Sequence, residues 1–276
     1  MYKKQLVYEF WDEKDNYTDL FESKRSKEDR QRKRIFFAEE IAKLGVDILY
    51  WLDVGIGDGK KMKQILDHLL EIKPSLQIHF VVVEPSQHVK EQLKTIENHK
   101  LVVSFSYHVN GLSLDVLAHD QYHLVTFFHS TYYIAKRKAQ FISLFQMLLL
   151  SLKCKGLLMI QAVHEDSDFQ KIGKTPYSVW AQGKHTYSLL KRIFPRVSMH
   201  EFPTHYDVEK LELSSQFTDE SGKKLAALYQ FTAQKNVAQP TKSELRSFFR
   251  RVRRLMKKKK RDGFDFNDIV VCAYKD

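Results

Sequence analysis

The stretch Leu52-Asp53-Val54-Gly55-Ile56-Gly57-Asp58-Gly59 decides how this chain folds. An apolar run of strand length, Ile48 to Leu52, leads into it. A helical period leaves it, with Met62, Ile65, Leu66, Leu69 and Leu70 at i, i+3, i+4, i+7 and i+8. Strand, glycine turn and helix in that order make the first unit of a nucleotide-binding α/β sheet. Glycines at 55, 57 and 59 permit positive φ and let a ligand lie against the backbone. Their G-x-G-x-G spacing is tighter than the G-x-G-x-x-G of NAD and FAD folds. Glycine turns also occur for packing alone, so the reading needs a second element.

That element is the next strand. Ile78-His79-Phe80-Val81-Val82-Val83 is nearly continuous in apolar character, as a strand buried on both faces of a parallel sheet should be. It runs into Glu84-Pro85-Ser86. A carboxylate at the tip of strand two is placed to accept hydrogen bonds from two ribose hydroxyls. Pro85 stops the strand, and Ser86 is a candidate N-cap for a helix carrying Val89, Leu93 and Ile96.

Outward from these two units the pattern repeats. Strands are expected at about 47–54, 77–84, 100–107, 122–128, 156–163, 197–203 and 268–275. A helix bearing Phe141, Leu144, Phe145 and Leu148 ends near Cys154-Lys155, and another spans 185–194. Alternation at these lengths means a parallel sheet. Residues 7–44 read as two helical segments, 164–182 as a loop or broken helix, and 204–262 as mostly helical. No linker rich in Pro, Gly or Ser interrupts the 276 residues. A single domain over 1–276 follows, with a helical N-terminal segment at 1–45 and an insertion at 204–262.

Composition narrows the class. Hydrophobic residues are 43% of the chain and aromatics 13%, ample for a packed core and against global disorder. The start, Met1 to Glu9, has no apolar core of a signal peptide. The longest greasy stretch, Phe141 to Leu152, is too short to span a bilayer. Cys154 and Cys272 lack metal or redox spacing and read as reduced core thiols. A cytoplasmic monomer without a metal is expected. The net charge of +11 is local: residues 250–261 hold nine cations and no acid. They lie on an amphipathic helix, 241–261, whose apolar side carries Leu245, Phe248, Phe249, Val252, Leu255 and Met256. A solvated cationic face is the simpler reading; a patch for nucleic acid or anionic membrane is the sharper one.

Asp53, Gly55, Gly57, Gly59 and Glu84 together resemble the S-adenosylmethionine (SAM) site of class I methyltransferases. Val83-Glu84-Pro85-Ser86, then Phe128-His129-Ser130-Thr131-Tyr132-Tyr133-Ile134, then Phe266-Asn267 before the last strand look like the histamine N-methyltransferase group. The resemblance in segment order covers nearly the whole chain. It implies a Rossmann-like class I methyltransferase fold, α/β, with a seven-stranded mostly parallel sheet and an antiparallel C-terminal strand. It also implies a helical N-terminal lid and a helical insertion before that strand. By position it puts Gly55 and Glu84 on SAM, Ser113 or Leu112 near the adenine, and Phe128 along the cofactor. It puts His129, Tyr132, Tyr133 and Asn267 at the methyl acceptor. Tyr17 and Phe21 resemble an aromatic lid, and Glu28 or Asp29 the acid that holds the acceptor's ring.

The chemistry implied asks little of the protein. A sulfonium methyl is an activated electrophile, so catalysis is mostly in-line positioning with water excluded. Tyr132 and Tyr133 suit an aromatic or cationic guest, Asn267 can orient a nitrogen, and His129 is a candidate base. A small (hetero)aromatic amine is therefore the expected acceptor. The rival readings are methylation of RNA or of a protein side chain, with 250–261 gripping the polymer, and a SAM-binding protein without catalysis. An Asn-Pro-Pro-Tyr motif after strand four would mark a base methylase; this chain has His129-Ser130-Thr131-Tyr132 there.

Overall fold

A computed structural model describes residues 24–109, 111, 112, 116–131, 137–168, 171, 182–207, 241–259 and 263–276. The chain divides into two compact units. One comprises Met1–Arg30, His164–Pro176 and Pro203–Asn267; the other comprises Gln31–Val163, Tyr177–Phe202 and Asp268–Asp276.

The second unit carries the sheet. Helix α1 (Lys24–Ala42), which begins in the first unit, precedes β1 (Ile48–Val54), α2 (Lys60–Ile72) and β2 (Gln77–Val83). A 3-10 turn at Gln87–Val89 leads to α3 (Lys90–Glu97) and β3 (Val102–His108). Then come β4 (Tyr122–Phe128), α4 (Lys138–Ser151), β5 (Leu152–Val163), α5 (Gly183–Leu190) and β6 (Arg196–Phe202). The last strand of the chain, β9 (Asp268–Tyr274), joins the same sheet. The order is β3-β2-β1-β4-β5-β9-β6. β9 runs antiparallel to both neighbours, and every other pairing is parallel. The seven-stranded mostly parallel sheet expected from the alternation is present.

Period-2 alternation sends each strand's side chains to two cores. Leu52, Val54, Val125, Phe127, Leu158, Ile160, Ile269 and Val271 pack with Phe141, Leu144, Phe145 and Leu148 of α4 and Leu189 of α5. Leu49, Trp51, Phe80, Val82, Leu124, Leu157, Met159, Val270 and Cys272 pack with Phe37 and Ile41 of α1, the stripe of α2, and Leu93 and Ile96 of α3. Full burial of each such side chain is worth roughly 1.5–3 kcal/mol, and this two-sided burial is what makes the strands read as apolar runs.

Three local expectations change. β5 begins at Leu152, four residues before the expected start, and α4 ends at Ser151. The extra residues hold the sheet through an irregularity: the β4–β5 register shifts between Tyr122 and Leu124, and Lys155 takes φ 61°. A Cβ on Gly156 would lie 2.7 Å from the Lys153 carbonyl oxygen, so only glycine fits there. Cys154 falls in this irregular start and is exposed; it is not a core thiol, whereas Cys272 is buried. Ser86 sits at the N-cap of the 3-10 turn without a side-chain capping bond.

In the first unit, β7 (His205–Asp207) pairs antiparallel with β8 (Gly263–Asp265), so the insertion is not all helical. Helix α6 (Lys242–Lys259) carries the basic run. Thr241 and Glu244 form a capping box at its start: the Thr241 N–H donates to Glu244 Oε2 at 2.9 Å, and the Glu244 N–H donates to Thr241 Oγ1 at 3.3 Å. Leu245, Phe248 and Val252 are buried, while Arg246, Arg250, Arg253, Arg254, Lys257 and Lys258 are exposed. Residues 208–240 and the first expected helical segment lie outside the described residues. Among the described residues no helix is long and apolar enough to cross a membrane.

Candidate functional site

The glycine turn closes β1 onto the tip of β2. Gly55 N–H donates to the Val83 carbonyl at 2.8 Å, carrying the ladder one residue past the strands. The three glycines have φ of 83°, 60° and 72°, the left-handed region that other residues enter at a cost of about 1 kcal/mol or more. They are not equivalent. A Cβ on Gly55 would stand 2.4 Å from Ser130 Cβ, and one on Gly59 would crowd Leu93 and Ile96 at 3.1 and 3.2 Å. A Cβ on Gly57 would meet nothing within 4 Å. Gly55 and Gly59 therefore let protein approach protein, and of the three Gly57 faces open space.

Glu84 follows β2 and is buried at 7% exposure. Its Oε2 accepts the Gly57 N–H at 3.0 Å, and its Oε1 accepts the Ser86 N–H at 3.0 Å. The carboxylate thus pins the glycine turn from the neighbouring strand. Both carboxylate oxygens face the backbone of the two strand tips, where an adenosine ribose would lie in a fold of this kind. Nearby, Tyr107 O–H donates to the Ser86 carbonyl at 2.5 Å.

The stripe facing α1 and α2 turns polar at its upper end. β1 ends there in Asp53, β4 in Thr126 and Phe128, and β5 in Gln161, while β9, running the other way, begins there with Asp268. Asp53 and Thr126 are register partners, as are Phe128 and Gln161. Trp51 Nε1–H donates to Thr126 Oγ1 at 2.8 Å, and the Thr126 hydroxyl donates to Asp53 Oδ1. Asp53 is fully buried, and its Oδ2 has no hydrogen-bond partner among the described residues. Burial pushes its pKa up to about 7, against the opposing pull of Thr126 and Lys61.

Beside it, Lys33 of α1 pairs with buried Asp268. Burial alone would raise the Asp268 carboxyl, but Lys33 and His129 hold it well below the usual carboxylate range. Gln161 Nε2 lies 2.7 Å from both Asp268 Oδ2 and His129 Nε2, and Lys61 donates to Gln161 Oε1. The lysine on Oε1 fixes the Gln161 amide orientation, with Nε2 toward Asp268 and His129. Burial lowers the His129 pKa, with Asp268 opposing. Asp268 Oδ1 lies 3.2 Å from His129 Nε2, ready for a proton there. His129 itself takes φ 62° at the end of β4, a strained conformation that points to a constrained site.

Of the residues the sequence singled out, the structure joins Asp53, Gly55, Gly57, Gly59, Glu84, Phe128 and His129 to this one edge of the sheet. Leu112 packs partly buried against the core. Tyr17, Phe21, Ser113, Tyr132 and Tyr133 lie outside the described residues. In the first unit, Glu28 is exposed, whereas Asp29 is buried and accepts the His205 N–H at 3.3 Å. Asn267 donates its N–H to Ser167 Oγ at 3.4 Å, and its Oδ1 is buried without a hydrogen-bond partner among the described residues. Lys33, Lys61, Thr126, Gln161 and Asp268 were missed from sequence. Their signal was a polar residue closing an otherwise apolar period-2 stripe.

Scanned against protein-family models, the chain matches none, and a search of curated proteins also gives no match. Solved structures do match. A candidate methyltransferase from Bacillus halodurans aligns with TM-score 0.55 at 13% identity, covering 87% of this chain and 98% of that one. The YcgJ protein of Bacillus subtilis aligns with TM-score 0.53 at 9% identity, over 88% and 98% of the two chains. The YjhP protein of E. coli aligns with TM-score 0.50 at 11% identity, over 97% and 99%. Likeness at such identities is one of fold: the chain has a Rossmann-like α/β fold shared with that candidate methyltransferase.

Proposed function

We propose that the protein is a SAM-dependent methyltransferase acting on a small aromatic or heteroaromatic amine. One observation carries the cofactor assignment: Gly57, open at Cβ, is held by the Glu84 carboxylate from the adjoining strand tip. A turn of positive-φ glycine beside a buried acid at the tip of the adjoining strand fits an adenosine ribose. SAM, when bound, supplies an electrophilic sulfonium methyl. The chain's own part is to bind, orient and keep dry. Glu84 takes the ribose hydroxyls, Gly57 lets the ligand approach the backbone, and Phe128, packed on Phe37 with ring centroids 4.7 Å apart, excludes water. His129, whose pKa burial lowers, is the base that the end of β4 offers for the proton the acceptor nitrogen loses.

The choice of a small amine rests on the sequence resemblance and on the residue types at Tyr132, Tyr133 and Asn267. Incubation of the purified chain with SAM and a panel of aromatic amines, read by mass spectrometry, tests it. A mass gain of one methyl on a member of the panel is expected. Methylation of added RNA or protein instead, with no amine modified, would replace the small-molecule reading by the polymer one. Tyr133→Ala and Asn267→Ala are each expected to cut transfer tenfold or more, about 1.4 kcal/mol of barrier, while SAM affinity stays nearly native.

A further inference from the structure

Lys61 is the second residue of α2, four positions past Gly57. Its Nζ donates to the amide oxygen of Gln161 at the end of β5. It also lies 3.8 Å from the ring centroid of Phe128 and 4.9 Å from that of Phe37. None of these partners carries a negative charge. The contrast with the neighbouring lysine is plain: Lys33 closes on a carboxylate, Asp268. Burial, and after it the positive charge of Lys33, lowers the Lys61 pKa well below the ordinary lysine value, while Asp268 and Asp53 pull the other way from a distance. A desolvated ammonium held by an amide oxygen and two ring faces is a strong hydrogen-bond donor and charge partner for an incoming anion.

The strand order says which anion. Glu84 stands at the tip of β2 and Gly57 follows β1; Phe128 closes β4, and Gln161 pairs with it near the end of β5. A nucleoside whose ribose sits on Glu84 and whose chain crosses the glycine turn brings its far end toward β4, where the Lys61 ammonium covers Phe128. We infer that Lys61 anchors the amino-acid carboxylate of the methyl donor, closing an ion pair that the described residues leave open. The inference rests on the SAM reading of the site and adds a residue that the glycine turn and Glu84 do not imply.

Decarboxylated SAM differs from SAM by that carboxylate, so calorimetric titration of the full chain with both compounds isolates the contact. The native chain is expected to bind SAM at least tenfold more tightly than decarboxylated SAM. Lys61→Met should lose tenfold or more in SAM affinity, keep its affinity for decarboxylated SAM within about twofold, and so lose the preference. Lys61→Arg, which keeps the cation, should retain most of it, and a thermal melt of each variant establishes that it is folded. A native chain that does not distinguish the two donors, or a folded Lys61→Met that still does, overturns the assignment. Glu84→Ala separates the two levels, because loss of the ribose contact weakens both donors alike. If Glu84→Ala behaves so and the Lys61 variants do not, the SAM site stands and the anchor is elsewhere. If the native chain binds neither donor, both readings fall together.

Discussion

At the scale of single residues, the three glycines make the sharpest contrast. Gly55 has no space for a methyl group, since Ser130 Cβ would be 2.4 Å away and Ser130 is tied to the Val54 carbonyl. Gly55→Ala should therefore cost stability through both overlap and φ, about 2 kcal/mol or more, read as a lower denaturation midpoint. Gly57→Val meets only the φ strain within the protein, so it should fold and lose SAM binding; a folded variant with native SAM affinity would remove Gly57 from the site. Asp53 makes a pH prediction. Its folded pKa of about 7 lies above the unfolded value near 3.9. The native state thus binds the extra proton, and stability should fall as pH rises from about 4 to about 7, by roughly 4 kcal/mol from this group. Asp268 has the opposite sign: its lowered pKa gives stability above about pH 4 that is lost in more acid solution. Urea titrations at pH 5 and pH 7.5 should show a smaller drop for Asp53→Asn than for the native chain; an equal drop in both would contradict the buried-acid account. Glu84 and Gly57 were legible in sequence because a glycine turn and a strand-end acid have few other uses together. Lys33, Lys61 and Gln161 were not, because a lysine on a helix reads as solvated until the strand that it reaches is known.

At the scale of elements, periodicity was a good guide wherever burial was two-sided. β1, β2 and β4 fall within a residue or two of expectation because nearly every side chain in them is covered. The start of β5 was misplaced because Lys153, Cys154 and Lys155 carry no apolar alternation, and a positive-φ lysine with a glycine behind it holds the ladder together. β7 and β8 were missed for a related reason: three-residue strands show no period, and their pairing depends on residues far apart in the chain. Helix α6 separates packing from charge. Phe248 is fully buried and its alanine variant should lose about 3–5 kcal/mol. Replacing exposed Lys257 and Lys258 by Gln should change stability by no more than about 0.5 kcal/mol and leave amine methylation intact. Tight RNA binding by the native chain that weakens steeply with salt, lost in that double variant, would instead give the cationic face a partner.

At the scale of the whole molecule, the sheet order is the link between sequence and site. Because β1 and β4 are adjacent and β2 lies on the other side of β1, the glycine turn, Glu84 and the polar ends of the stripes meet at one edge. Crossovers of this kind open a crevice at the carboxyl ends of the strands. The alternation of strands and helices was readable from hydrophobic pattern alone. The place of β9 between β5 and β6 was not, since a short, mostly apolar run carries no mark of its neighbours. The resemblance supplied its direction, and the register from Leu157–Tyr274 to Val163–Asp268 bears it out. That register also brings Asp268 to Gln161 and His129, so the last strand completes the polar edge that the first one begins. The central claim is that this edge holds SAM through Glu84, and isothermal titration of SAM into the native chain and Glu84→Ala tests it most directly. The native chain should bind SAM saturably and one-to-one, and the variant should lose about 2–4 kcal/mol; absence of binding by the native chain, or equal affinity in a folded Glu84→Ala, would contradict it.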